Sequence, residues 1–324
     1  MHTIHVQNTS TMYDSVNFRL RQDEAGGIDF LSEIPCYLNN VGEHRYSDEV
    51  VVTGSLNGLN VTVSRYQVKV KDGSLCKWYL GDNFQTMGRG DTQRAIEKLS
   101  DTLHLPMDKA TVTRLDVSQN LIMKQPVDVY LNHLGELRYC RRCSMIENGS
   151  LYYINRNNTS VFYDKIREQS NMGHQIPELY TGRNVLRYEL RYKQRLPSVL
   201  GVPVVTGTLL YDEAFYIKLL NRWRDNYKEI RKVNDISINF AAMKVKKDFD
   251  LAGRLCLIEM QGGELAMIES INEAYKCGML SRRQADELKR ATREACKERV
   301  NFVTCNENMS ELDKKVSEAI KFYR

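Results

Sequence analysis

Three segments of this chain alternate between apolar and ionic side chains, and this alternation constrains the fold more than any other feature. Successive side chains of a β-strand point to opposite faces, so such a pattern indicates a strand with one buried face and one polar face. The segments are residues 111–118, 159–168 and 184–193. Antiparallel strands of this kind build a sheet with one face packed on a core and the other left open. We therefore predict an α+β fold, with a central antiparallel sheet, helices packed on one face, an open catalytic face and a mainly helical C-terminal part.

The predicted open face gathers most of the ionic side chains of these strands. Residues 111–118 place Arg114 and Asp116 there, with Leu115 and Val117 on the apolar side. The other two segments contribute one tyrosine, one carboxylate and several cations, namely Tyr163, Lys165, Arg167, Arg187, Glu189, Arg191 and Lys193. Salt bridges between neighbouring strands explain such a pattern without any function. The sequence pattern leaves that interpretation and a functional site equally open.

As a functional site, this face suits chemistry on a phosphodiester. The phenol of Tyr163, flanked by Lys165, is a nucleophile whose phenolate the cation stabilises. Asp116 and Glu189 offer hard oxygen ligands for Mg²⁺ or Mn²⁺, and a metal with a tyrosine and guanidinium groups supports transesterification. Glu168 faces away from Tyr163 on an ideal strand, so it reaches such a metal only if a bulge or the strand end redirects it.

Other residues compete for these roles or assist them. Tyr152 and Tyr153 are rival nucleophiles on the preceding strand. Five cations are predicted to hold a DNA backbone by charge rather than by base contacts, namely Arg114, Arg167, Arg187, Arg191 and Lys193.

Charge is concentrated around these strands. The chain has 324 residues and a net charge of +5, while residues 138–195 hold eleven Lys and Arg against five Asp and Glu, a net of +6. A focused positive field favours a polyanionic partner, and nucleic acid is the obvious one. No apolar run approaches the length of a membrane span, and no leader pattern opens the sequence, so we expect a cytoplasmic protein that does not contact the membrane.

Turn and helix signals outline the rest of the chain. Residues 49–56 and 59–71 read as a hairpin around Asn57-Gly58, and residues 75–80 as a further strand. From residue 208 onward the spacing becomes helical, with candidates at 248–259, 264–277, 281–300 and 311–322. Residues 264–300 are compatible with a DNA-reading helix-turn-helix or with an ordinary helical pair. We place one domain at residues 1–205 and a helical one at 206–324.

In order and spacing, the motifs resemble those of the replication initiators of filamentous bacteriophages, the gene II and X family, and their plasmid relatives. The motifs are Thr113-Arg-Leu-Asp116, Val161-Phe-Tyr-Asp-Lys165 followed by Glu168, Leu186-Arg-Tyr-Glu-Leu-Arg191 and Leu200-Gly-Val-Pro203. The resemblance covers roughly residues 50–211.

The resemblance implies a rolling-circle initiator. Such a protein nicks one strand of single-stranded or supercoiled origin DNA, stays joined to the 5′ phosphate through a tyrosine and rejoins the strand after synthesis. It implies Tyr163 as nucleophile, Lys165 as its cationic neighbour, and Asp116 and Glu189 at the metal. A host helicase and a DNA polymerase in the bacterial cytoplasm are the expected partners.

One departure separates this chain from many rolling-circle initiators. They hold their metal with a His-hydrophobic-His pair, and none of the six histidines here has that spacing. Two alternatives stay open: a DNA-binding replication regulator of the same fold without chemistry, and a transposase or relaxase.

Overall fold

The computed structural model describes residues 13–46, 49–84, 87–145, 149–233, 240–261, 263–298 and 307–321. Two compact units are distinguished by their internal contacts. A sheet unit comprises residues 1–127, 138–228 and 315–324, and a helical unit comprises residues 128–137 and 229–314. These contacts do not test whether either unit folds on its own, so the predicted domain boundary at residue 205 stays a prediction.

Ten strands of the sheet unit form one antiparallel sheet in the order β2-β3-β4-β5-β1-β6-β10-β9-β8-β7. The strands are β1 Tyr13–Arg21, β2 Asn39–Tyr46, β3 Glu49–Leu56, β4 Leu59–Ser64, β5 Gln67–Lys71, β6 Thr111–Met123, β7 Arg141–Met145, β8 Ser150–Ile154, β9 Asn158–Asp164 and β10 Asn184–Tyr192. The predicted α+β class with a helical C-terminal part is confirmed.

Eleven α-helices accompany these strands in the described part of the chain. They are α1 Phe30–Glu33, α2 Leu75–Leu80, α3 Arg89–Leu103, α4 Val127–Asn132, α5 Lys165–Asn171, α6 Leu196–Leu200, α7 Glu213–Glu229, α8 Lys246–Gln261, α9 Glu264–Lys276, α10 Arg282–Lys297 and α11 Glu307–Ala319. No described helix is both long and apolar enough to cross a bilayer.

The core face of the sheet follows the predicted alternation. Tyr188 of β10 lies opposite Phe162 of β9, and their rings stack at 4.2 Å between centroids. Trp223 of α7 stacks on Tyr188 at 4.6 Å, which ties this helix to the centre of the sheet. Aromatic pairs of this kind stabilise the fold by more than the burial of their apolar area alone.

The predicted hairpin around Asn57-Gly58 is present, and both turn residues have positive φ angles of 47° and 95°. This geometry matches the right-handed twist of the flanking strands, which is why Asn-Gly is favoured there. The second predicted run is divided into β4 and β5 by a turn at Arg65 and Tyr66.

The predicted strand at residues 75–80 is wrong, because this segment is the helix α2. Ser74 caps it by accepting a hydrogen bond from the backbone N–H of Lys77. A capping serine before an apolar residue is a helix start signal that outweighed the apolar composition of the segment.

The helical unit has its own small core. Ala252, Leu255 and Ile258 of α8 pack against Ala295 of α10. The four helices predicted after residue 240 are present, although residues 299, 300 and 322 of those predictions lie outside the described residues. Whether α9 and α10 read DNA stays a prediction.

Candidate active site

Tyr163 is the penultimate residue of β9 and lies directly opposite Arg187 of β10 and Ser150 of β8. Its phenol donates a 2.7 Å hydrogen bond to Oε1 of Glu189. Only 8% of the residue is exposed. The tyrosine and a carboxylate therefore do come together on this face. The phenol is largely buried there rather than exposed to solvent.

Arg187 is the central cation of this network and has no solvent exposure. Its Nε donates to Oε1 of Glu189 at 2.7 Å, and a terminal nitrogen lies 2.8 Å from Oδ2 of Asp14 on β1. Two further guanidinium hydrogens reach Ser118 Oγ at 2.8 Å and Asn120 Oδ1 at 3.0 Å. Arg187 was predicted to hold a DNA backbone, and this prediction is wrong because the side chain is sealed beneath other groups.

The cover over Arg187 explains its burial. The backbone oxygen of Asn83, in the loop after α2, accepts a 3.0 Å hydrogen bond from Arg187. Helix α2 also packs on β1, and α5 packs on β9 and β10. The face expected to be fully open is therefore roofed in part by two short helices and a loop.

Arg191 and Arg114 neutralise the two predicted metal ligands. Arg191 donates from Nε to Oε2 of Glu189 at 2.7 Å, and Arg114 reaches Asp116 with Nε at 3.1 Å and a terminal nitrogen at 2.6 Å. Arg191 and Asp116 are direct partners across β10 and β6. Both guanidinium groups keep partial exposure, at 26% for Arg191 and 31% for Arg114.

Helix α5 replaces the last part of the predicted strand. Asp164 ends β9 and caps α5 by accepting hydrogen bonds from the N–H groups of Ile166 and Arg167. An aspartate in the N-cap position starts a helix even within an apparently alternating segment. The prediction that Lys165 and Arg167 share a strand face with Tyr163 is therefore wrong.

The helix also reverses the expected roles of Lys165 and Glu168. Lys165 is fully buried, with Nζ 2.8 Å from Oε2 of Glu168 and 5.6 Å from the ring centre of Phe84. Its Nζ lies 6.0 Å from the ring centre of Tyr163, so the amine approaches the phenol ring. Glu168, which an ideal strand would point away, is turned toward the same side as Tyr163.

Tyr163, Glu168 and Arg191 line one open cavity of about 360 Å³. Ser150 and Tyr152 of β8 and Asn171 and Met172 at the end of α5 complete its wall. Tyr152 is half-buried there, whereas Tyr153 points to the core face and packs edge-on against Phe162. Tyr152 thus remains a rival phenol at this cavity, and Tyr153 does not.

Burial and ion pairing set the protonation of the site. Burial, and then the charge of Glu189, raise the pKa of Tyr163 well above its ordinary value. Glu189 is itself buried, yet the guanidinium groups of Arg187 and Arg191 lower its pKa to about 2. Burial raises the pKa of Asp116 to about 6 against the opposing effect of Arg114. Burial also lowers the pKa of Lys165.

The carboxylates do not fit a ready-made divalent cation site. Both oxygens of Glu189 and both of Asp116 receive hydrogen bonds from guanidinium or phenol groups. Glu168 is held by Lys165, and the described residues contain no group of three acidic, histidine or cysteine side chains placed to share a metal. A cation would have to displace Arg114 or Arg191 from its partner.

Two predicted DNA contacts, Arg167 on α5 and Lys193 just after β10, are exposed. The pKa of Lys193 is lowered by partial burial and by the nearby charges of Arg191 and Arg114. Lys193, Arg191 and Arg114 therefore lie close together beside the cavity.

Asp14 is the site residue that sequence reasoning missed. It lies in β1, in which Val16, Phe18 and Leu20 alternate as buried residues. That alternation was the available signal, but it places Asp14 on the same face as Val16, and the register shift between Tyr13 and Val16 turns Asp14 to the other face. A bulge of this kind re-aims side chains, which brings Asp14 onto Arg187.

These features define a class of site: a phenol, a carboxylate and an accessible guanidinium at the edge of a cavity on an antiparallel sheet. Residues 12–222 match the family model that describes the N-terminal part of the replication-associated protein encoded by phage gene II. Since this match covers more than half of the chain, the protein belongs to that family, the gene II-type replication initiators of filamentous phages. No curated protein resembles the chain closely enough to count as a match. The resemblance drawn from the motifs is confirmed, and the protein is replication-associated.

Proposed function

We propose that this replication-associated protein nicks and rejoins one strand of origin DNA, with Tyr163 as the nucleophile. The observation that carries the proposal is the shared cavity of Tyr163, Arg191 and Glu168, with the phenol already hydrogen-bonded to Glu189. The cavity, of about 360 Å³, places a phenol beside a guanidinium and has room for a phosphodiester and its sugars. Family membership supports a replication role, and the chemistry is our inference.

Arg191 is the group best placed to receive the scissile phosphate. It lines the cavity and keeps 26% exposure, whereas Arg187 and Lys165 have none. One guanidinium edge is committed to Glu189, which fixes the orientation of the group. A fixed donor aimed at a phosphate oxygen stabilises the charge that develops there without further reorganisation.

In the proposed step, the phenol oxygen of Tyr163 forms a bond to phosphorus while the bond from phosphorus to the 3′ oxygen breaks. The phenolic proton passes along the 2.7 Å hydrogen bond to Glu189, and the departing 3′ oxygen takes a proton from solvent. Glu189 is a weak base, because two guanidinium groups hold its pKa at about 2. Proton transfer must therefore accompany attack rather than precede it.

The products suit replication from the nick. The free 3′ hydroxyl primes a host polymerase, a host helicase displaces the strand, and the 5′-phosphotyrosine conserves the energy of the broken bond. A later 3′ hydroxyl reverses the step by attacking the same phosphorus. A requirement for Mg²⁺ or Mn²⁺ belongs to this proposal as a prediction, and no step above depends on it.

A non-catalytic regulator is the second candidate, and one observation favours it. Tyr163 is largely covered, and its pKa is raised by burial and by Glu189. A phenol in that condition is a poor nucleophile until substrate rearranges its surroundings. A protein that only binds DNA has no need of such a rearrangement.

The deciding experiment compares wild type with Tyr163→Phe on supercoiled DNA carrying the cognate origin. We expect wild type to give relaxed circles and a DNA-linked protein band, and Tyr163→Phe to bind with unchanged affinity but to give neither. Tyr152→Phe is the matched control, since it removes the other phenol of the cavity. Mass spectrometry of the trapped peptide identifies the attacking residue. An adduct that survives Tyr163→Phe contradicts the assignment, and binding without any adduct in wild type supports the regulator.

A further inference from the structure

The same face of the sheet continues beyond the cavity onto strands β1, β5 and β4. Arg19 of β1 lies directly opposite Lys69 of β5, and Lys69 lies opposite Thr62 of β4. Their neighbours along the strands, Phe18 and Val70 among them, are buried on the core face. Arg19 and Lys69 therefore point to the face that carries Tyr163.

From Asn17 onward, this part of the face is basic, and its strand positions carry no carboxylate. Nine positions of the three strands point to it: Asn17, Arg19, Arg21, Asn60, Thr62, Ser64, Gln67, Lys69 and Lys71. Four of them are cations and the other five are neutral polar residues. Such a surface is a solvated patch unless its charges serve a partner.

The cations here differ from those of the site in their pairing. Arg114, Arg187 and Arg191 each contact a carboxylate, and Lys71 lies 3.7 Å from Asp72 in the turn that follows it. Within the described ranges, neither Arg19 nor Lys69 forms an ion pair within 4 Å. The buried Nε of Arg19 also lacks a hydrogen-bond acceptor. An unmatched guanidinium donor on a basic face calls for an anionic ligand.

The basic surface is continuous with the cavity. Arg191 pairs with Asp116 across β10 and β6, and Arg114, two residues before Asp116, lies opposite Asn17 of β1. From β9 to β5 there are four strand spacings in the sheet order, roughly 19 Å at about 4.8 Å each. This span equals the backbone of a few nucleotides adjoining the scissile phosphate.

We propose that Arg19 and Lys69 form a phosphate track for single-stranded DNA that leads away from the Tyr163 cavity across β1 and β5. The polar neighbours along the track donate to phosphate and sugar oxygens without reading bases, which is how backbone contacts position a strand. The proposal rests on the proposed function for the identity of the strand. The binding surface itself requires no chemistry at Tyr163.

The test measures binding alone, in Tyr163→Phe protein, with a fluorescent thymidine oligonucleotide of about 20 residues as probe. Arg19→Gln with Lys69→Gln is compared with Lys109→Gln and Lys228→Gln, which remove the same charge from positions outside the track. We expect the track variant to bind on the order of tenfold more weakly and its salt slope to fall by about 1.4, the value for two phosphates of a single strand. The control pair should leave both nearly unchanged.

Two further measurements keep the result interpretable. Gln67→Glu is isosteric and sets a carboxylate opposite Arg21 on the same face, so it should weaken binding even if the double variant folds poorly. A probe with neutral methylphosphonate linkages should bind equally to proteins with the wild-type track and the altered track, because the contacts are to phosphate charge.

Equal affinity and equal salt slope for the track variant and its control would overturn the proposal. If protein with an intact Tyr163 forms no covalent adduct, but its DNA binding still depends on the track, the proposed nicking function is wrong and the track stands. The two failures are therefore distinguishable.

Discussion

The two halves of the ten-stranded sheet use their cations in opposite ways. Around Tyr163, on β6, β9 and β10, the guanidinium groups are matched by carboxylates, and the central one is sealed from solvent. On β1 and β5, Arg19 and Lys69 stand among neutral polar and basic neighbours. Matched charges fix geometry but contribute little net field, whereas unmatched charges attract a polyanion and fix nothing until it binds. The proposed nicking and rejoining of DNA needs both properties, in adjacent places.

Metal removal should produce the largest difference between the halves. We expect excess chelator to reduce nicking by at least about 100-fold, because a divalent cation bound with the DNA would stabilise charge on the reacting phosphate. Binding of the thymidine oligonucleotide should not change, because the proposed track involves no metal. Gel analysis of relaxed circles and fluorescence anisotropy, with Mn²⁺ added back as control, measure the two. Undiminished nicking in chelator would show that the guanidinium groups suffice.

Arg187→Met should destabilise the fold by about 3–5 kcal/mol, because it leaves Asp14 buried without its guanidinium partner and removes one of the two guanidinium groups that Glu189 contacts. Arg19→Met is the matched control in the other half and should change stability by no more than about 0.5 kcal/mol. Urea unfolding of both variants measures the difference. Comparable losses would mean that the two halves do not differ in charge matching.

The carboxylate half should also give stability an unusual pH dependence. Since the pKa of Asp116 is raised to about 6, the folded protein binds more protons than the unfolded chain between about pH 4 and 6. The contribution of this residue to stability therefore falls as pH rises through that window, by an amount on the order of 2–3 kcal/mol. We expect the free energy of unfolding of Asp116→Asn to increase relative to that of wild type as the pH rises from about 4 to about 7.

Glu189 acts in the opposite direction and in another window. Its pKa of about 2 lies below the ordinary value, so its contribution is present above about pH 4.5 and is lost as pH falls toward 2. The comparison of Asp116→Asn with wild type is therefore cleanest above about pH 4.5. A constant difference between the two proteins across that range would contradict the raised pKa of Asp116.

The smallest effect concerns Lys71, a cation on the same face beside the track, which pairs with Asp72. Asp72→Asn frees Lys71 from its exposed ion pair and should tighten oligonucleotide binding by about two- to threefold, with stability unchanged within about 0.5 kcal/mol. Anisotropy at low salt is the suitable measurement. Asp72→Asn combined with Lys71→Gln should cancel the gain, and weaker binding in the single variant would exclude Lys71 from DNA binding.

Local signals in the sequence predicted most of the fold. The alternation in residues 184–193 and 111–118 placed β10 and β6, and Asn57-Gly58 placed a hairpin, because period-two burial and positive φ angles are properties of short segments. Two failures have the same origin. Ser74 and Asp164 each cap a helix, and in both segments a single hydrogen-bonding side chain at the N-cap decided between strand and helix.

The site was predicted as a set of residues but not as an arrangement. Tyr163, Glu189 and Asp116 were placed on one face by pattern, and Glu168 joined them only because α5 turns it around. Burial of Arg187 and Lys165 could not be read from the alternation, since it depends on a roof to which Asn83 and Phe84, remote in sequence, contribute.

The sequence by itself determined which side chains share a face and to which family the chain belongs, because both follow from the order and spacing of neighbouring residues. Tertiary structure decided which charges are neutralised, which phenol is covered and which cations lie on the proposed track. Those outcomes depend on distances between segments far apart in the chain and on what shields them from water, and a linear pattern specifies neither.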